Sequence, residues 1–206
     1  MNRNAILAVP VILALAGAAA LAGGPLAIGG SIPMADTKMK GVDGKEVAIA
    51  DVKQPGGTLV VFTCNHCPFA KAWETRIVEL GNTYAAKGIG VIAVNANDPK
   101  VAEEDSFDVM QQRAKERGMK FPYVVDATSD VARSFGATRT PEAFVFDASG
   151  KLVYHGTVDD SPKDAAAVKS DWLRDAVNAV SEGKAVAEPE TKSMGCSIKY
   201  REKKAI

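Results

Sequence analysis

Two cysteines stand two residues apart in the segment Cys64-Asn65-His66-Cys67, and a third, Cys196, lies near the C-terminus of the 206-residue chain. A disulfide closing so short a loop restrains the unfolded chain very little, so the pair is a poor structural staple. Its spacing suits thiol–disulfide exchange or metal binding instead. Exchange requires a thiolate, because the thiolate and not the thiol attacks a disulfide, and the surroundings must favour negative charge on sulfur. His66 stands between the two cysteines, where an imidazolium would stabilise a thiolate and so favour the reduced pair. Structural zinc would need two further ligands, and only Cys196, the two histidines and carboxylates remain to supply them. Two soft thiolates alone would hold Cu(I). His155, after Tyr154 on a predicted strand, reads as a surface or packing residue and not as a ligand. Cys196 is either a third redox thiol that pairs with Cys64 or Cys67 when the tail folds back, or an inert tail cysteine; separation in sequence does not choose between them.

The elements around the pair decide what its surroundings are. Thr58 to Thr63 is a continuous apolar, β-branched run, as expected of a strand buried on both faces, and it ends directly at Cys64. From Phe69 the apolar residues Trp73, Ile77, Leu80 and Tyr84 recur at spacings of three and four, marking one face of a helix that ends before Gly88. The cysteines thus fall at a strand-to-helix junction. There the free N–H groups and the positive end of the helix dipole would stabilise an anion on Cys64, the expected nucleophile at the exposed first turn. Cys67, one turn further in and more buried, would resolve the mixed disulfide.

Further along, Gly90 to Asn95 reads as a second buried strand, Ser106 to Arg117 as a helix, Pro122 to Val125 as a short strand and Asp130 to Phe135 as a short helix. Strand and helix alternating in this way imply a parallel sheet. Ala143 to Asp147 and Leu152 to His155, joined at Asp147-Ala148-Ser149-Gly150, form an antiparallel hairpin, and Asp43-Gly44 marks an N-terminal hairpin between Asp36–Lys40 and Glu46–Ala50. Ala165, Val168, Trp172, Leu173, Ala176, Val177 and Val180 predict a last helix stopping at Gly183, followed by a polar tail carrying Cys196. The class is α/β, with helices on a mixed central sheet.

A chain that is 47% hydrophobic has enough apolar residues for one packed domain, taken as 23–183, with 184–206 as its tail. Lys plus Arg equals Asp plus Glu at 25 each, so no overall field draws the chain to nucleic acid. Arg3, the apolar run Ala5 to Ala22 and the small residues at Ala20-Leu21-Ala22 match a secretory signal peptide cleaved after Ala22, and hence a periplasmic protein. The rival is an uncleaved membrane anchor, since the run approaches the length of a bilayer span. No cysteine stands at the cleavage region, so a lipoprotein is unsupported.

The segments Phe62-Thr63-Cys64-Asn65-His66-Cys67-Pro68-Phe69, Thr140-Pro141-Glu142-Ala143-Phe144-Val145-Phe146-Asp147 and Gly195-Cys196-Ser197-Ile198-Lys199-Tyr200 resemble the peroxiredoxin-like branch of the thioredoxin superfamily. The resemblance runs from about Ile28 to the C-terminus. It implies a thioredoxin-like three-layer α/β/α fold, a C-x-x-C active site, and a cis-proline loop at Thr140-Pro141 that lies against the cysteines and holds a substrate chain by backbone hydrogen bonds. Two departures matter. The strand Thr58 to Thr63 lacks the buried acid of thioredoxins, leaving the proton acceptor for Cys67 open between Glu142, which resembles the Pro-Glu of some cytochrome-maturation thioredoxins, and some other group, with Glu142 then a surface charge. In peroxiredoxins the residue matching Cys67 attacks peroxide, but here Cys64 replaces the supporting Thr and no Arg stands at the expected place, Arg139 preceding Pro141. The expected function is therefore disulfide exchange with extracytoplasmic protein thiols and a redox partner protein, without metal or organic cofactor. The alternatives are a thiol peroxidase using Cys67 and a Cu(I)-handling protein.

Overall fold

The computed structural model describes residues 24–203, so the predicted signal segment 1–22 lies outside the described residues. In chain order the elements are β1 (Met39–Gly41), β2 (Glu46–Val47), α1 (Ile49–Val52), β3 (Thr58–Phe62), α2 (Pro68–Ala85), β4 (Gly90–Asn95), α3 (Phe107–Arg117), β5 (Tyr123–Val125), α4 (Asp130–Phe135), β6 (Arg139–Thr140), β7 (Glu142–Phe146), β8 (Leu152–Gly156), α5 (Trp172–Ser181) and β9 (Cys196–Ser197). Seven strands form one sheet in the order β2-β1-β5-β4-β3-β7-β8, and β6 pairs with β9 apart from it. β3, β4 and β5 are parallel, while β7 is antiparallel to β3 and β8 to β7. The sheet is mixed, as expected, with the β1–β2 hairpin at one edge. Its turn uses Gly44 at φ +85°, a conformation that costs a residue without Cβ little.

Period-two alternation splits the core between two layers. Leu59 and Val61 of β3 face Trp73, Ile77 and Tyr84 of α2 and the α5 residues Leu173 and Val177. Val60 and Phe62 face the other way, towards Ile49 of α1 and Val131 and Phe135 of α4. On that side the Phe62, Phe135, Phe144 and Phe146 rings meet edge to face at centroid separations of 5.1–6.0 Å, the favoured arrangement for aromatic pairs. Every residue of β3 and β4 is buried, which accounts for their unbroken apolar runs.

Two expectations about elements need correction. The strand predicted to reach Ala50 stops at Val47, because Asp51 accepts the Ala48 N–H at 2.7 Å and closes the α1 turn. The last helix begins at Trp172, not Ala165: Asp164 caps a separate 3-10 turn at Ala165–Ala167, and Val168 is extended. Ala165 and Val168 keep the helical period in sequence but lie outside the helix that buries it. Of the two arrangements left open for the polar tail, the structure has the one in which it folds back over the domain. His155 N–H donates to Pro189 O, and Thr191 N–H to His155 O, along the β8 edge. Ile198, 6% exposed, then enters the core, with its N–H on Thr138 O at 2.9 Å. Among the described residues no helix is long and apolar enough to cross a membrane.

Candidate active site

β3 delivers the chain to Cys64, and α2 leaves from Cys67. Pro68 sets where that helix starts. A residue before proline is barred from the helical region, and proline itself fits the first helical position because its missing N–H would be unpaired there. Cys67 is accordingly extended (φ −67°, ψ 127°) and is the N-cap, with Lys71 N–H donating to its carbonyl at 2.9 Å. The expectation that Cys64 occupies the helix's first turn is therefore wrong: the helix terminus lies at Cys67, and Cys64 precedes it in a bend. Nor is Cys64 exposed, at 5% accessible against 0% for Cys67.

Thr140 meets both sulfurs. Its peptide bond to Pro141 is cis, and its hydroxyl lies 3.1 Å from Cys64 Sγ while its carbonyl lies 3.1 Å from Cys67 Sγ. The loop expected to lie against the cysteines does so. Glu142 fixes it by accepting the Thr138 and Arg139 N–H groups at 2.7 and 2.8 Å on one oxygen; its other oxygen takes His155 Nε2 at 2.7 Å and the Ser193 hydroxyl at 3.0 Å. Glu142 is thus neither a surface charge nor bonded to Cys67. Burial pushes its carboxyl up, but the bonds from His155, Arg139 N–H and Thr138 N–H outweigh this and hold it below the usual carboxylate range. His155 is a packing residue, as expected, stacked on Phe144 at 4.5 Å.

A carboxylate not singled out from sequence completes the site. Asp105, 1% exposed, comes from the Glu103–Asp105 turn before α3. One oxygen accepts Asn65 N–H at 2.6 Å, and the other lies 2.6 Å from His66 Nδ1 and accepts Asn97 Nδ2–H at 2.7 Å. Tyr123 O–H donates to Asn65 Oδ1 at 2.9 Å, fixing the bend from below. A buried acid therefore stands beside the thiols, supplied from a different loop than in the thioredoxin pattern. Cys64 Sγ, a His66 ring nitrogen and an Asp105 oxygen lie within 4.8 Å of one another. A cation there would have to displace the hydrogen bonds that Asp105 already accepts.

Each of the two thiols shifts the protonation of the other, in opposite directions. Donation from Cys64, then from Cys196 and the Ala70 and Cys196 N–H groups, overcomes burial and draws Cys67 down to about 4. The bond to Cys67, then burial and the charge of Asp105, push Cys64 up, with Thr140 opposing. The Thr140 carbonyl near Cys67 can only accept, which favours a protonated Cys67. Several donors against this one acceptor leave the negative charge on Cys67. Cys196 is brought into the same cluster: β9 pairs antiparallel with β6, Thr140 opposite Cys196, and the Cys196 side chain packs against Cys64, Cys67 and Ala70. Burial and the neighbouring Cys67 push Cys196 up to about 11. Cys64, Cys67, His66, Thr140, Pro141 and Cys196 are thus assembled in one place, and of the sequence candidates only Glu142 stands back from the sulfurs.

The family model of the AhpC/TSA family matches residues 29–155. Thiol-disulfide oxidoreductase ResA of Geobacillus thermodenitrificans is 26% identical over 127 residues, covering 62% of this chain and 67% of ResA. Across the curated relatives the chain spans about 60–67% of their length. Among solved structures, an uncharacterized conserved protein from Geobacillus kaustophilus is 39% identical with a TM-score of 0.79, over 85% of this chain and 93% of that one. A hypothetical protein from Sinorhizobium meliloti 1021 is 32% identical with a TM-score of 0.75, over 89% and 96%. With a thioredoxin-like α/β architecture and a family match over more than half its length, the chain belongs to the AhpC/TSA family.

Proposed function

We propose that the protein is a thiol–disulfide oxidoreductase that exchanges disulfides with extracytoplasmic protein thiols through Cys64 and Cys67. The observation that carries this reading is the pair of free, buried thiols held against one residue, Thr140. An incoming disulfide meets Cys64 before Cys67, since of the pair only Cys64 has accessible surface. As Cys64 sulfur attacks, its proton passes to the Cys67 thiolate, one substrate sulfur bonds to Cys64 and the other leaves as thiolate. Cys67 then loses that proton to the departing thiolate and attacks Cys64, releasing the second substrate sulfur. The substrate disulfide gains two electrons and the pair becomes Cys64–Cys67; the reverse sequence oxidises a substrate dithiol. The ResA relatives, named for this activity, support the reading.

Trapping tests it. In a Cys196→Ser background, Cys67→Ser should accumulate mixed disulfides that peptide mapping places on Cys64, and Cys64→Ser should abolish exchange. Adducts on Cys67 instead would transfer the nucleophile's role. The extracytoplasmic setting rests on Arg3, the apolar run 5–22 and Ala20-Leu21-Ala22; intact mass of periplasmic protein should show a chain beginning at Gly23. A full-length chain in the membrane fraction would overturn that part.

The low-lying Cys67 thiolate and the family favour a second reading, reduction of peroxide at Cys67. Its rate should be slow, because Cys64 occupies the Thr position and the Arg139 guanidinium is turned to the Gly195 carbonyl at 3.5 Å, not to Cys67, so neither of the donors expected to polarise the peroxide is in place. Peroxide-dependent consumption of reductant, with Cys67→Ser as control, measures it.

A further inference from the structure

The tail occupies the site's own binding edge. Any chain bringing sulfur to this pair must pass Thr140, the residue touching both thiols, yet the Arg139–Thr140 edge is already paired with Cys196–Ser197. The register puts Cys196 directly opposite Thr140, and its side chain packs against the cluster of Cys64, Cys67 and Ala70. The approach is close enough that a Cβ at Gly195 would lie 2.2 Å from Thr140 O, so the position before Cys196 admits no side chain without the strand lifting. Both flanks are fastened. Upstream, Ser193 donates to Glu142; downstream, Lys199 N–H donates to Asn97 Oδ1 at 2.7 Å, Asp98 N–H to Lys199 O at 2.7 Å, and Tyr200 O–H to Ala137 O. Cys67, wholly buried, belongs to one cluster with Cys64, and Cys196 packs against that cluster.

We propose that Cys196 is a third redox residue of this site, an internal substrate thiol that takes over the disulfide from Cys64 by bonding to Cys67. The step rests on the exchange reading and is balanced within the chain. In the oxidised protein the Cys196 thiolate attacks Sγ of Cys67; the Cys67–Cys196 bond forms, the Cys64–Cys67 bond breaks, and Cys64 leaves as thiolate, taking up the proton that Cys196 lost. No oxidant or reductant is consumed. The isomerisation returns Cys64 to its free form while the oxidising equivalents rest on Cys67 and the tail cysteine. Because the tail is held on both sides of Cys196, the exchange needs side-chain rotation and no swing of the tail.

The full-length protein is oxidised with diamide, free thiols are blocked with N-ethylmaleimide, and the unreduced tryptic digest is mapped. Cys64 and Cys67 share the peptide 54–71, whereas Cys196 lies in 193–199, so a disulfide to the tail joins two peptides and a Cys64–Cys67 bond joins none. Wild type should give both species. Cys64→Ser should retain the 54–71/193–199 crosslink in monomeric protein, and Cys67→Ser and Cys196→Ser should lose the specific Cys67–Cys196 bond entirely. Gly195→Ala, which lifts the strand, should reduce the crosslink severalfold while leaving Cys64–Cys67 formation intact. If wild type forms only Cys64–Cys67, and monomeric Cys64→Ser retains two free thiols, the relay is wrong and the exchange reading stands. If wild type forms neither disulfide, the exchange reading fails with it.

Discussion

The molecule contains two buried carboxylate–histidine pairs of the same chemistry. Asp105 meets His66 at 2.6 Å and Glu142 meets His155 at 2.7 Å; each carboxylate is nearly inaccessible, and each also accepts backbone N–H groups. Their surroundings differ. His155 is 9% exposed at its side chain, stacked on Phe144 and bridged by the tail, so the pair ties Thr138, Arg139 and Ser193 together. His66 is 22% exposed at its side chain and lies beside Cys64. One pair holds the loop that presents Thr140; the other sets the electrostatic field at a sulfur. Residue type and partner do not separate these roles. What does is whether a reactive group stands within a few ångströms.

The largest effect should come from breaking the structural pair. Glu142→Ala leaves His155, two backbone N–H groups and Ser193 without an acceptor in a site closed to water, and removing one partner of a buried pair costs about 3–5 kcal/mol. Urea denaturation should show this loss. A change below about 1 kcal/mol would mean that water replaces the carboxylate. The same pair sets an acid limb. The Glu142 carboxyl is lower when folded than when unfolded, so its contribution is present above the ordinary glutamate value of 4.5 and is lost as pH falls through the folded value. Stability should therefore fall on acidification below about 4.5, and less steeply in Glu142→Gln, followed by denaturation from pH 5 downwards.

The reactive pair should yield more in reactivity than in stability. The charge of Asp105 is one of the causes that push Cys64 up, so Asp105→Asn should bring Cys64 down, on the order of one unit, or tenfold in thiolate at a given pH. The accompanying stability cost should be about 1–3 kcal/mol, for one poorly matched donor against Asn65 N–H. Iodoacetamide labelling of Cys64 against pH, in Cys67→Ser/Cys196→Ser protein, reads the shift. That background also removes the influence of Cys67 on Cys64. Slower labelling in Asp105→Asn would rule out a through-space charge.

Periodicity reads the sheet well and the site only in part. β3 and β4 are unbroken apolar runs because both faces are covered, and they lie where the pattern puts them. The cysteines' closeness to the cis-proline loop follows from the family pattern, and the cis bond is present. The start of α2 was misplaced at Cys64, because the strand's end and the apolar period from Phe69 set it there and not the restriction that Pro68 places on Cys67. Asp105 was not legible. It ends a run of three acids, Glu103-Glu104-Asp105, which reads as a solvated turn, and only the placement of that turn beside Asn65 and Asn97 sends the third carboxylate inward. The tail's return was hidden for a similar reason, since its polar residues are bound by backbone hydrogen bonds that leave no hydrophobic period.

The smallest change in stability, and the sharpest division between the two pairs, should come from the histidines. His155→Ala removes a ring packed on Phe144 and strands a buried carboxylate oxygen, so it should cost a few kcal/mol without altering Cys64 labelling. His66→Ala removes a ring that is partly in solvent, and Asn97 still donates to the same Asp105 oxygen. Its cost should be about 0.5 kcal/mol or less. The labelling profile should nevertheless move, and in the opposite sense to Asp105→Asn. Without the His66 ring, less of the Asp105 charge is compensated near Cys64, which raises the cost of a thiolate there. Labelling in the same Cys67→Ser/Cys196→Ser background should therefore slow at a fixed pH. The double variant His66→Ala/Asp105→Asn should label at the rate of Asp105→Asn alone, because the ring acts on the sulfur through the carboxylate. Additive shifts would instead mean that His66 stabilises the Cys64 thiolate directly, as its place between the cysteines first suggested.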